Sequence, residues 1–190
     1  MKKVKYLVEF LFIKLLFSIF KIIGYRNASS LGAKIGSFLF PLFRSRKITK
    51  NNIKNSFPDI SDKDANELIK KMWKNYGRIF SEYMYIEKFR SKKLDKYLNI
   101  SGIEILEKIK KDGKPVVFIS GHFNNFELMA MQIELSGIEL SAVYRPLNNL
   151  FLNRTMENLR KNFICKNQIK KGLGGVREII KAFSQNKSVA

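Results

Sequence analysis

Lys111-Asp112-Gly113-Lys114-Pro115-Val116-Val117-Phe118-Ile119-Ser120 is the stretch on which the fold turns. A polar turn hands over to an apolar, β-branched run, which predicts a buried strand over residues 115–120. Downstream the pattern predicts a helix from about Asn125 to Leu135, a break at Gly137 and a second strand from Glu139 to Tyr144. A helix from Asn149 to Lys161, a short link through Ile164 and a helix from Gly175 to Phe183 continue the alternation. Strands alternating with helices predict an α/β fold with a mostly parallel sheet flanked by helices. A fresh strand starts at Ser188-Val189-Ala190, so the reading expects a sheet cut short by truncation at the C-terminus.

Upstream the chain reads as helical. Residues 4–23, VKYLVEFLFIKLLFSIFKII, form an apolar stretch preceded by Lys2, Lys3 and Lys5. Its length suits a bilayer, but Glu9, Lys14 and Lys21 interrupt it, and each charge near a bilayer centre costs ~3 kcal/mol. A tilted or interfacial anchor therefore competes with a true span, and a buried soluble helix is the alternative. From Asn27 to Phe43 a helix rich in small residues is expected to end near Pro41, followed by the basic cluster Arg44, Arg46, Lys47 and Lys50. Such a cluster beside an apolar anchor suits anionic headgroups on the cytoplasmic side. Ser61 with Asp64 resembles a capping box opening a helix over 62–89, where Leu68, Met72, Tyr76, Ile79 and Tyr83 recur at helical spacing. The expected organisation is an N-terminal membrane anchor helix over 1–24, a helical region over 25–110 and an incomplete α/β core over 111–190.

Thirty-six Lys and Arg against sixteen Asp and Glu leave a formal charge of +20, which calls for a polyanionic partner: nucleic acid, an anionic membrane or an acidic carrier protein. Lys, Asn and Ile abound together, so part of this basicity reads as codon bias on solvated faces. No nucleic-acid module is recognisable, and the aromatics fall in apolar helical stripes instead of alternating with Lys, which argues against nucleic acid. The single cysteine, Cys165, excludes an intramolecular disulfide and a Cys-rich metal site, and reads as a packing residue.

The sequence has one histidine, so any histidine chemistry must use His122. It stands just past the first predicted strand, where active sites of open α/β sheets form. Gly121 lets the backbone turn, and Asn124 or Asn125 can cap the next helix. On one helix His122 and Glu127 would stand about 140° apart around the axis. With His122 in the loop and Glu127 in the first turn of the helix, the imidazole can fold back to the carboxylate, which would orient it for proton abstraction. One His and one carboxylate at this spacing do not supply a metal site, so no metal is expected. Gly172, Gly174 and Gly175 lack the Lys-Ser/Thr end of a phosphate-binding loop and read as a helix-opening loop.

Gly121-His122-Phe123-Asn124-Asn125-Phe126-Glu127 resembles the G-H-x-G-N-W-E block of the lipid A biosynthesis acyltransferases, within the wider H-x4-D/E glycerolipid acyltransferase superfamily. Asn124 stands for the block's second Gly and Phe126 for its Trp; Asn also tolerates unusual backbone angles. Val143-Tyr144-Arg145-Pro146-Leu147-Asn148-Asn149 is similar to the family's V-Y-R-P-x-x-N signature, with Arg160 following at a fitting distance. Asn52, Phe57-Pro58 and the stretch from Gly77-Arg78 to Glu82 also resemble the family's helical half.

The resemblance implies an acyltransferase without a cofactor, in which His122 is the general base on a lipid hydroxyl and Glu127 holds and charge-stabilises it. The donor would be an acyl carrier protein thioester and the acceptor a lipid A precursor. Arg145 and Arg160 would contact phosphate or acidic sugar, with Asn125 and Asn149 as further substrate contacts. The implied location is the bacterial inner membrane, with the active site facing the cytoplasm. Another acyltransferase of the superfamily is the nearest rival, and a non-catalytic basic membrane-binding fragment the more distant one.

Overall fold

The computed structural model describes residues 2–190, which divide into two compact units. In chain order the helices of the N-terminal half are α1 (Lys2–Ile23), α2 (Tyr25–Phe43), α3 (Arg46–Ser56), α4 (Asp62–Glu82), α5 (Ile86–Arg90) and α6 (Ile103–Asp112). The remainder alternates: α7 (Glu127–Leu135), β1 (Leu140–Tyr144), α8 (Leu150–Phe163), β2 (Asn167–Lys170), α9 (Leu173–Ser184) and β3 (Ser188–Val189).

One unit is helical and runs from Leu15 to Tyr85. Its centre is the seam of α2 against α4, made possible by glycine: a Cβ at Gly77 would fall on the carbonyl oxygen of Gly32, and one at Gly36 on the backbone of Gly77. With no side chain between them the two backbones touch. Around the seam Phe80 packs on Phe17 at 5.0 Å between ring centroids, and Phe40 meets Trp73 edge-on at 6.2 Å. The α4 start is as the sequence predicts: the Ser61 hydroxyl accepts from the Asp64 amide at 3.1 Å and bonds the Asp64 carboxylate at 2.7 Å. The helix expected over 62–89 breaks at Tyr83–Tyr85, where a tighter 3-10 turn separates α4 from α5. Helix α2 ends at Phe43, close to Pro41 as the sequence predicts, with Pro41 itself inside its last turn.

The other unit joins Ile86–Ala190 to the N-terminal stretch ending at Lys14. It holds a three-stranded parallel sheet in the order β2-β1-β3, so the expected α/β fold is present in small form. Ile169, Ala182 and Val189 form one buried cluster under the sheet, with Ile179 and Phe183 from α9 packed against it. The strand expected over 115–120 is reduced to one parallel bridge, Val117 to Val189, flanked by Phe118 N–H to Val189 O at 2.8 Å and Val189 N–H to Val116 O at 3.0 Å. Its partner β3 offers only two residues, and Ile119 stands 92% exposed with no strand beside it. Conversely, β2 forms where the sequence suggested only a link, because the polar Asn167-Gln168-Ile169-Lys170 carries one buried aliphatic residue in place of a β-branched run.

Among the described residues no helix is long and apolar enough to cross a membrane. In α1 the charges of Glu9, Lys14 and Lys21 account for this.

Candidate active site

Parallel strands all point the same way, so the segment leaving Val117 and the segment leaving β1 emerge at the same edge of the sheet. From the first comes the loop carrying His122, from the second Arg145. The loop turns at Asn124, whose φ of 45° is the left-handed conformation that asparagine adopts more readily than most residues. Helix α7 then begins at Glu127, so His122 does lie in a loop and Glu127 in the first helical turn. Neither asparagine caps that helix; the cap position is Phe126, with no side-chain bond.

The two ends of the expected dyad make different contacts. His122 is exposed and its ring packs on Phe126, 4.4 Å between centroids. Glu127 is buried, and its Oε1 accepts from Arg160 Nε at 2.8 Å and Arg160 Nη2 at 2.6 Å. The carboxylate is thus anchored by a guanidinium, not by the imidazole. Arg160 also lies over the ring of Tyr144, 5.7 Å from its centroid, a cation-π placement. Each charge is nearly out of water, and the pair's short, doubled hydrogen bonding offsets the desolvation this requires.

A polar stripe along one face of α8 organises the rest. Asn149 caps the helix, accepting from the amides of Phe151 and Leu152 at 3.1 and 3.3 Å. Its Nδ2 donates to the Tyr6 carbonyl at 2.8 Å and to Glu9 at 3.2 Å, tying the start of α1 to the sheet unit. One turn on, Asn153 Oδ1 accepts from the Leu147 amide at 2.8 Å and Asn153 Nδ2 donates to Glu157 at 3.0 Å. The Tyr144 hydroxyl donates to Glu157 Oε1, and Lys170 stands 3.5 Å from the same carboxylate. That hydrogen bond from Tyr144 holds the Glu157 carboxyl below its usual range, against its burial. Burial, and then the carboxylate, push the Tyr144 phenol far above its ordinary value.

Of the residues singled out in the sequence, the structure joins Glu127 to Arg160 and sets His122 beside them in chain but not in hydrogen bonding. Arg145 is exposed just past the end of β1. Asn125 is half-buried in the His122 loop, whereas Asn149, expected at the substrate, is buried as a helix cap. Glu157 was not singled out, although its i,i+3 spacing to Arg160 on one helix face was a usable signal. Cys165 is buried, 3.1 Å from the Leu140 carbonyl, and its thiol is pushed up to about 11 by that burial, which makes it inert as a nucleophile near neutrality. Gly172 with φ 143° precedes α9 and Gly175 packs onto the Lys170 carbonyl, so the glycine-rich segment opens a helix as the sequence suggested. Among the described residues no three His, Cys, Asp or Glu side chains gather as a metal site.

The model of the bacterial lipid A biosynthesis acyltransferase family matches residues 1–190. The chain belongs to that family. Among curated relatives it is similar to the lipid A biosynthesis palmitoleoyltransferase of Escherichia coli K12, 23% identical over 153 residues, which cover 78% of this chain and 50% of the relative. It is also similar to the lauroyltransferase of the same strain, 22% identical over 135 residues (70% of this chain, 44% of the relative). A third is the lipid A biosynthesis acyltransferase 2 of Shigella flexneri, 24% identical over 132 residues (69% and 42%). The chain spans about half the length of the curated relatives it matches. In this member of the family, then, the histidine block sits in an exposed loop at the sheet edge, while its glutamate is fixed in the interior by the arginine that follows the Tyr-Arg-Pro block.

Proposed function

We propose that this protein transfers a fatty acyl chain from an acyl carrier protein thioester to a hydroxyl of a lipid A precursor at the cytoplasmic face of an anionic bacterial inner membrane. The observation that carries the reading is the family match over the whole chain with the sole histidine in an exposed loop at the sheet edge. His122 takes the proton of the acceptor hydroxyl as the oxygen attacks the thioester carbonyl. The carbon–sulfur bond then breaks, and the imidazolium returns the proton to the departing carrier thiol. No acyl-enzyme is needed, in keeping with a buried, proton-holding Cys165.

Glu127 stabilises the imidazolium in this scheme. Because Arg160 already holds the carboxylate, Arg160 acts as a positioning residue through Glu127, and the exposed Arg145 is the guanidinium for an acceptor phosphate. The His122–Glu127 hydrogen bond forms when the acceptor occupies the loop, since catalytic hydrogen bonds often tighten only in the substrate complex.

Helix α1 supports the membrane placement. Val4, Leu7, Val8, Leu11, Phe12, Leu15, Ile19 and Ile22 are all exposed, at helical spacing, along one stripe. With Lys2, Lys3 and Lys5 at its start, such a helix suits lying in the interface of an anionic leaflet. The test is transfer of labelled acyl chain from carrier thioester to a lipid A precursor in membranes containing the protein. Product dependent on both substrates is expected, and an acyl product on lysophosphatidic acid in place of the lipid A precursor would favour the rival superfamily reading.

A further inference from the structure

We infer that the helical unit carries a binding site for the headgroup of an anionic glycerophospholipid, in the groove between the end of α2 and the start of α4. The groove measures about 340 Å³ and is lined by Ser37, Pro41, Arg44, Arg46, Asn66, Ile69, Lys70 and Trp73. Its size falls in the range of small-molecule sites. Three cations stand on its rim and no carboxylate is among its lining residues. None of the three forms a salt bridge among the described residues, Arg46 donating only to Asn66 Oδ1 at 3.3 Å. Elsewhere on this unit Lys50 and Lys54 clasp Asp62, and Lys71 pairs with Glu67. An unmatched cationic rim over an apolar floor of Pro41, Ile69 and Trp73 is complementary to a phosphodiester with a carbon backbone behind it.

Two further features favour a lipid over a free anion. Phe38, Leu42 and Phe43, on the same end of α2, are 72 to 81% exposed, an apolar flank suited to a ligand with acyl chains. Pro41 lacks an N–H, so it cannot give the Ser37 carbonyl the bond that a helical residue at that position would. The site shares with the proposed function its placement at an anionic membrane but none of its acyl-transfer chemistry.

Trp73 is the one tryptophan of the chain and lines the groove, so its emission reports occupancy directly. The experiment titrates the 190-residue chain, with no acyl donor present, using soluble dihexanoyl-phosphatidylglycerol, dihexanoyl-phosphatidylcholine and inorganic phosphate in parallel. A saturable emission change with the phosphatidylglycerol alone is expected. Arg44→Gln/Arg46→Gln/Lys70→Gln should weaken it roughly a hundredfold, at about fivefold per cation. The charge-matched variant Lys108→Gln/Lys111→Gln/Lys114→Gln, on exposed positions of the other unit, should bind as the parent does. Equal response to phosphatidylcholine, equal response to inorganic phosphate, or equal loss in both triple variants would each overturn the assignment. Since no transfer is measured, failure here leaves the acyl-transfer reading standing.

Discussion

Arg160 and Glu127 illustrate how two site residues can be legible in a sequence while their pairing is not. Glu127 is marked by the histidine block, but the guanidinium that holds it comes from 33 residues later, a distance no local spacing reveals. Removing one member leaves the other charged and nearly dry, so Glu127→Gln and Arg160→Met should each cost about 3–5 kcal/mol in urea unfolding. The double variant should recover much of that loss, because replacing both charges removes the desolvation cost as well. A double variant as unstable as the sum of the singles would refute the pairing. Glu157 and Tyr144 give a pH signature. The carboxyl of Glu157 is depressed in the folded chain, so it contributes stability present above its ordinary value of 4.5 and lost as pH falls through the folded value. Tyr144 is raised, so its contribution is present below the ordinary 10.0 and declines above it as the unfolded chain ionises. Relative to the parent, Glu157→Gln should be destabilised near pH 7 with the gap narrowing below pH ~4, and Tyr144→Phe should soften the alkaline decline.

At the scale of elements, legibility followed the strength of the local signal. The Ser61 capping box and the apolar recurrence of α4 were plain, and the helices around the sheet formed within a few residues of expectation. The strand expected at Pro115–Ser120 read well by composition yet found only Val189 to pair with, since strand formation depends on a neighbour that composition does not encode. The reverse holds for β2, whose polar sequence hides a strand that Tyr144 and its neighbours in β1 draw into register. The α2–α4 seam was visible only as a run of small residues; that Gly77 lies on Gly32 required the structure. Gly77→Ala should therefore destabilise the helical unit by about 1–3 kcal/mol, because its Cβ meets backbone that cannot rotate away. Gly174→Ala, whose Cβ would meet open space, is the control and should be close to neutral in the same thermal unfolding experiment.

Over the whole molecule the charge of +20 and the exposed apolar stripe of α1 make one account together. Neither alone places the chain at a membrane, because basic residues also arise from biased codons and apolar residues also arise in cores. Their combination predicts vesicle binding that is stronger on anionic lipid and weakens with salt. Leu11→Glu or Leu15→Glu, at exposed positions of the stripe, should reduce binding to phosphatidylglycerol vesicles about tenfold or more while leaving the far-ultraviolet circular dichroism intact. Binding unchanged by a carboxylate in the stripe would mean that α1 does not enter the lipid.

The role of His122 is tested most directly by single-turnover transfer from an acyl carrier protein thioester to a lipid A precursor, comparing the parent with His122→Ala and Cys165→Ala. His122 is exposed, so its removal leaves the fold in place and isolates the chemistry. The account predicts a loss of about 10²- to 10⁴-fold for His122→Ala and near-parental rates for Cys165→Ala. Transfer retained without the imidazole, or abolished without the thiol, would contradict it.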